Sequence, residues 1–283
     1  MPPLVWQCRD RRFDLDRRPL VAGIVNVTPD SFSDGGHLSS IDAAVERALL
    51  LIAEGADLLD VGGESTRPGA GPVPLDEELR RVVPVVAELV KHTSVPISVD
   101  TSKAEVARRC LAAGAFVVND VTGLRGDRDM AAVVAEYRAG VIVMHLRGTP
   151  ATMQANPRYA DVVGEVGAFF EERLRTLTAA GIPAACVCLD PGIGFGKTLD
   201  HNLDLLANLG AFARFNRPIC LGVSRKGFIG SLCGREVGER QAGSLAVACF
   251  AAARGTAHIL RVHDVAQTRD AAVLLDAIDR YRR

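Results

Sequence analysis

Eight short apolar runs recur along the 283-residue chain, and nearly every one ends in a polar or charged side chain. They finish at Asn26, Asp60 to Arg67, Asp100, Asn119, His145, Asp190, Lys226 and Arg261 to His263. An apolar run of this kind suits a strand buried on both faces. Helix-forming stretches separate the runs, and the β-then-α alternation never breaks. Eight such units, with reactive groups at the carboxyl ends of the strands, predict an α/β fold of one kind: a single (β/α)₈ barrel, the TIM barrel, with its chemistry on one rim.

The expected strands cover residues 20–26, 58–61, 96–100, 116–120, 141–145, 185–190, 219–224 and 258–262. Residues 1–19 form an N-terminal extension, in which residues 5–15 can make a short hairpin closing the barrel bottom. Residues 20–283 form the barrel, with no linker to divide it. Helices are expected at 202–212 and 240–253, the latter after a loop running to Gly238. Long loops follow strands one, two and five, and loops of that length in a compact fold are usually functional.

Hydrophobic residues make up 48% of the chain, enough for a large core. Thirty-three basic residues stand against 34 acidic ones. Without a basic tract, neither nucleic acid nor a membrane surface is the expected partner, which leaves a small-molecule substrate. No run approaches the ~18 apolar residues of a membrane span, and the first 20 residues lack a secretory apolar core. The seven scattered cysteines contain no Cys-x-x-Cys and read as reduced core residues, so a cytoplasmic protein is expected.

The segment Pro191-Gly-Ile-Gly-Phe-Gly-Lys197-Thr198 invites a nucleotide-binding reading, but a P-loop needs glycine where Pro191 stands, and a dinucleotide fingerprint needs a different glycine spacing. Its glycines instead suit a tight turn or close backbone approach beside Asp190. Arg261 and His263, two apart on the last strand, project on one face, as either an oxyanion site or a structural ion pair. Asp100, Asn119, Asp190 and Lys226 allow two readings. They can form a mutual salt-bridge network, for example Asp with Lys226, or a polar ring around a flat heterocycle such as a 2-amino-4-oxopyrimidine edge. Asn26 is either a turn residue or a neutral oxygen ligand for Mg²⁺. His145 is either a satisfied rim histidine or a catalyst, and Asp60 reads as a hydrogen-bonding residue of the barrel interior.

Asn26-Val-Thr-Pro-Asp-Ser-Phe-Ser-Asp-Gly-Gly36, Gly63-Glu-Ser-Thr-Arg-Pro-Gly69, Ser98-Val-Asp-Thr101, Asp190-Pro-Gly-Ile-Gly-Phe-Gly-Lys197, Ser224-Arg-Lys226 and Arg261-Val-His-Asp264 together resemble the dihydropteroate synthase family, in the family's order. The resemblance implies a transferase of folate synthesis that condenses 6-hydroxymethyl-7,8-dihydropterin diphosphate with p-aminobenzoate. It also implies a Mg²⁺ requirement, a homodimer and inhibition by sulfonamides. Carried over by position, Asp100, Asn119, Asp190 and Lys226 bind the pterin, and Arg261, His263 and Asn26 face the diphosphate, with Asn26 also toward the metal. Thr66, Arg67 and Ser224 lie toward p-aminobenzoate, and Phe32, Asp34 and Arg67 sit in two mobile loops. The implied catalytic set is Asn26, Asp34, Arg67, Asp100 and Lys226.

Two departures from the family pattern stand out. Arg147, in His145-Leu-Arg-Gly-Thr-Pro150, adds a charge near the rim, and Gly227 after Lys226 is expected to loosen that loop. Two rival readings are a methyltetrahydrofolate-dependent corrinoid methyltransferase and a catalytically silent pterin-binding paralogue. The former needs no diphosphate site, and the latter would have lost part of a polar set that this chain retains.

Overall fold

A computed structural model describes residues 4–28, 40–66 and 69–281. The chain opens with an antiparallel hairpin of β1 (Val5–Cys8) and β2 (Arg11–Asp14). Eight parallel strands follow: β3 (Leu20–Asn26), β4 (Leu58–Gly62), β5 (Ile97–Asp100), β6 (Val117–Asp120), β7 (Gly140–Met144), β8 (Val187–Asp190), β9 (Cys220–Leu221) and β10 (Ile259–Val262). They are ordered β8-β7-β6-β5-β4-β3-β10-β9, and a bridge between Leu189 and Ile219 brings the two edges together. This is the expected barrel, nearly closed.

The helices between them are α1 (Ser40–Ala53), α2 (Leu75–His92), α3 (Ala104–Ala113), α4 (Met130–Tyr137), α5 (Val162–Ala179), α6 (Leu199–Ala207), α7 (Gly227–Cys233), α8 (Gln241–Ala253) and α9 (Val265–Asp279). Strands β4 to β8 are buried at every position, since helices cover one face and barrel-filling side chains the other. On α2 the buried residues Val82, Val85, Val86 and Leu89 recur every three or four positions, which turns one stripe onto the sheet.

The hairpin is the floor of the barrel. Trp6 and Cys8 are fully buried among Ala22, Leu58, Val117, Ile142, Cys188, Cys220 and Ile259, contributed by seven barrel strands. The Trp6 indole N–H donates to the Cys186 carbonyl at 2.8 Å, so the largest buried ring also satisfies its polar atom.

Four local expectations change. Strand six begins at Val187, because Ala184–Cys186 forms a 3₁₀ turn. The helix expected at 202–212 starts three residues earlier at a Thr198 capping box and stops at Ala207; a 3₁₀ segment, Leu209–Phe215, follows. Strand seven is only Cys220–Leu221, since the chain turns back through Lys226 N–H to the Val223 carbonyl. Gly227 opens a helix instead of loosening a loop: α7 starts there, buries Phe228 and Ile229, and ends at left-handed Gly234.

Candidate active site

Strand pairing sets the geometry at the barrel mouth. In the parallel register Asn26 lies level with Gly62, Gly62 with Asp100, and Asp100 with Asn119. Asp100, Asn119 and Asp190 are buried at their strand ends. Buried polar groups need partners, and the last strand supplies them. Arg261 Nε donates to Asp60 Oδ2 at 2.5 Å and Nη2 to Asp100 Oδ2 at 2.7 Å. Asn119 Nδ2 donates to the same Asp60 oxygen at 3.0 Å. Arg261 thus joins a salt-bridge network, with Asp60 and Asp100 as its carboxylates where Lys226 was the expected cation. Asp60 is its hub, and its strand-interior position had marked it only as a hydrogen-bonding residue.

The electrostatics follow from burial. Desolvation pushes Asp100 up to about 7, with Asp60 adding to the rise and Arg261 opposing it. Burial lifts Asp190 to about 6 against a 2.7 Å hydrogen bond from Gly192 N–H. Burial and the neighbouring Arg261 bring Lys226 down to about 8, although Asp190 and Asp100 favour its charge. Lys226 Nζ sits 3.9 Å from the Phe195 ring centroid. Asp190, Lys226, Arg261 and Asp100 therefore share one electrostatic neighbourhood.

The turn before Lys226 is pinned by two residues just past the end of the last strand, Asp264 and His263. Arg225, held at φ 58°, makes a two-point ion pair with Asp264, 2.5 Å at its shorter contact. Ser224 Oγ accepts the His263 backbone N–H at 3.2 Å and lies 3.0 Å from His263 Nδ1. Ser224, expected toward p-aminobenzoate, therefore directly contacts a residue expected at the diphosphate. Arg225 and Asp264 lie within Ser224-Arg-Lys226 and Arg261-Val-His-Asp264, but nothing in their spacing announces the pair.

The glycine-rich segment is a tight turn. Gly192 has φ +66°, and a Cβ there would lie 2.0 Å from the His145 carbonyl oxygen. Buried Lys197 fastens that turn, with Nζ at 2.9 Å from the Gly192 carbonyl, 3.0 Å from that of Phe195 and 3.0 Å from His145 Nδ1. Burial and the Lys197 charge push His145 down to about 2, so it is a neutral, satisfied rim histidine. Arg147 pairs with Glu165 and stacks over Tyr159 at 3.9 Å, which neutralises the added charge.

Asn26 and Thr66 are half-buried on the rim. Phe32, Asp34 and Arg67 lie outside the described residues.

A model of the pterin binding enzyme family matches residues 22–263. The dihydropteroate synthase of Escherichia coli K12 is 49% identical over 259 residues, which span 92% of this chain and 91% of that protein. Among solved structures, Xanthomonas albilineans dihydropteroate synthase with 4-aminobenzoic acid superposes with a TM-score of 0.92 at 48% identity, covering 99% of this chain and 100% of that one. The same organism's enzyme in complex with 7,8-dihydropteroate gives 0.89 at 46% identity, covering 98% and 100%. At this identity over nearly full length, with the same barrel, the chain belongs to the pterin-binding enzyme family as a dihydropteroate synthase.

Proposed function

We propose that the rim residues divide the work of joining 6-hydroxymethyl-7,8-dihydropterin diphosphate to p-aminobenzoate, with release of diphosphate. Asp100, Asn119, Asp190 and Lys226 hold the pterin: carboxylates accept its N–H groups, the amide donates and accepts, and the ammonium donates to its carbonyl. Arg261, His263 and Asn26 face the diphosphate. Thr66, Arg67 and Ser224 face p-aminobenzoate, whose amine is the nucleophile, with Asp34 and Arg67 completing the catalytic set alongside Asn26, Asp100 and Lys226. The observation that carries this reading is the shared Arg261–Asp60–Asp100 network, which keeps a cation and a carboxylate together at the barrel mouth.

The C–O bond to diphosphate breaks first, and its electron pair leaves with the diphosphate. The cation left on the exocyclic methylene delocalises into the pterin ring, beside carboxylates already fixed in position, Asp100 foremost. The arylamine then forms the C–N bond and loses a proton. Catalysis is electrostatic stabilisation plus alignment of two bound substrates, with no protein nucleophile.

Magnesium suits this donor set. Among the described residues no three His, Cys, Asp or Glu side chains cluster as a cage. Mg²⁺ commonly takes water, substrate phosphate oxygens and one or two protein oxygens, and the Asn26 amide is the candidate here. When bound, the ion neutralises charge on the departing diphosphate.

The active protein is further proposed to be a cytoplasmic homodimer. No helix among the described residues is long and apolar enough to cross a membrane, and all seven cysteines are free, five of them buried. Sedimentation of the purified chain tests the dimer. Incubation with dihydropterin diphosphate, p-aminobenzoate and Mg²⁺ is expected to yield 7,8-dihydropteroate; absence of that product overturns the synthase reading, and a rate unaffected by chelator overturns the metal requirement.

A further inference from the structure

A second ionic cluster lies behind the rim. Lys103 Nζ pairs with Glu78 at 2.5 Å and also with Glu64. Glu78 is fully buried on α2, and its other oxygen accepts the Thr101 hydroxyl at 2.6 Å. Thr101 follows Asp100 directly, and its backbone N–H donates to the Asn119 carbonyl at 3.0 Å. One ammonium therefore ties three elements together: α2, the turn leaving β5 and the loop leaving β4.

Stability alone requires less than this. A buried carboxylate needs a cation and hydrogen bonds, and Lys103 with Thr101 already satisfies Glu78. The bridge to Glu64 adds a second anion to the same cation, two residues before Thr66. The base of that loop is pressed onto α2 as well. Arg81 Nη1 donates to the Gly63 carbonyl at 2.9 Å, and a Cβ on Gly63 would lie 2.6 Å from Val82 Cγ2.

We infer that Lys103 is a positioning residue for the p-aminobenzoate side of the site: by holding Glu64 against the buried Glu78, it sets residues 63–66 in register with the turn that carries Asp100. The inference rests on the reading that Thr66 faces p-aminobenzoate. Misplacing a contact group by about an ångström can cost up to roughly 100-fold, so partial release of the loop is expected to raise KM for p-aminobenzoate about tenfold.

The test measures both KM values and the thermal midpoint of the full chain. Glu64→Ala is expected to raise the p-aminobenzoate KM, leave that for dihydropterin diphosphate at its parental value, and move the thermal midpoint by less than about 2 °C. Lys103→Met alone would strand a buried carboxylate. Lys103→Met combined with Glu78→Gln removes the ammonium without that penalty and should reproduce the same KM split. A parental p-aminobenzoate KM in Glu64→Ala overturns the inference, as does an equal rise in both KM values with a lowered midpoint. Thr66→Ala separates the two readings. No effect there refutes the Thr66 assignment, whereas a raised KM there beside a parental Glu64→Ala refutes the clamp alone.

Discussion

Arg261 shows how one side chain can serve two demands. Its Nε and Nη2 are committed to Asp60 and Asp100, two carboxylates that burial would otherwise penalise. The proposed diphosphate contact draws on what remains of the guanidinium. Arg261→Ala should therefore weaken dihydropterin diphosphate about 10- to 100-fold more than free pterin, as loss of a charged hydrogen bond would. It should also cost about 3–5 kcal/mol of stability through the stranded acids. Calorimetric binding of both ligands, with denaturant unfolding alongside, checks this, and equal losses for the two ligands refute the anion role. Asp100 gives a pH test. Its folded pKa of about 7 exceeds the ordinary 3.8, so between those values the folded chain keeps a proton that the unfolded chain has lost. Its contribution to stability therefore falls as pH rises through that window. Asp100→Asn should gain on the parent as pH rises from about 4 to about 7 in urea unfolding; a constant gap across that range would rule out the raised pKa.

The elements that matter most are the short ones. The hairpin of β1 and β2 fills the barrel floor with Trp6, at the opposite end from the polar strand ends. Trp6→Ala should cost about 3–5 kcal/mol, as large-to-small core changes do, and leave kcat/KM of the folded fraction unchanged; unfolding curves paired with initial rates check both. The 224–226 turn works differently. Left-handed Arg225, clasped by Asp264, turns Ser224 toward His263 and leaves Lys226 over Phe195. Helix α7 then starts on Gly227, a glycine-rich stretch whose composition reads as loop; burial of Phe228 and Ile229 outweighs that propensity.

For the molecule as a whole, the barrel brings the two proposed substrate sides onto one rim, so a p-aminobenzoate mimic should act without disturbing pterin binding. Sulfonamides are expected to compete with p-aminobenzoate and not with dihydropterin diphosphate. Steady-state inhibition patterns check this, and non-competitive behaviour toward p-aminobenzoate would refute the Thr66, Arg67 and Ser224 assignment. Much of the barrel was legible beforehand because its signals are local. Apolar runs of strand length, helix-forming stretches and stop residues such as Gly114, left-handed after α3, each act within a few positions. Strand seven is shorter than its composition implies for the same reason: six residues of strand-like composition yield only Cys220–Leu221, because the sharp return at Lys226 takes the rest out of the sheet.

The local pattern of the chain was enough to establish eight β/α units, a hairpin ahead of them and polar residues at the strand ends, since periodicity and turn chemistry need only near neighbours. Folding selected the partners. Arg261 meets Asp60 across 201 positions, Lys197 meets His145 across 52, and Lys103 meets Glu64 across 39. Such pairs arise because closing the barrel sets its last strand beside its first and aims side chains from separate loops at one point. Register and side-chain direction decide them, and neither is written in sequence spacing.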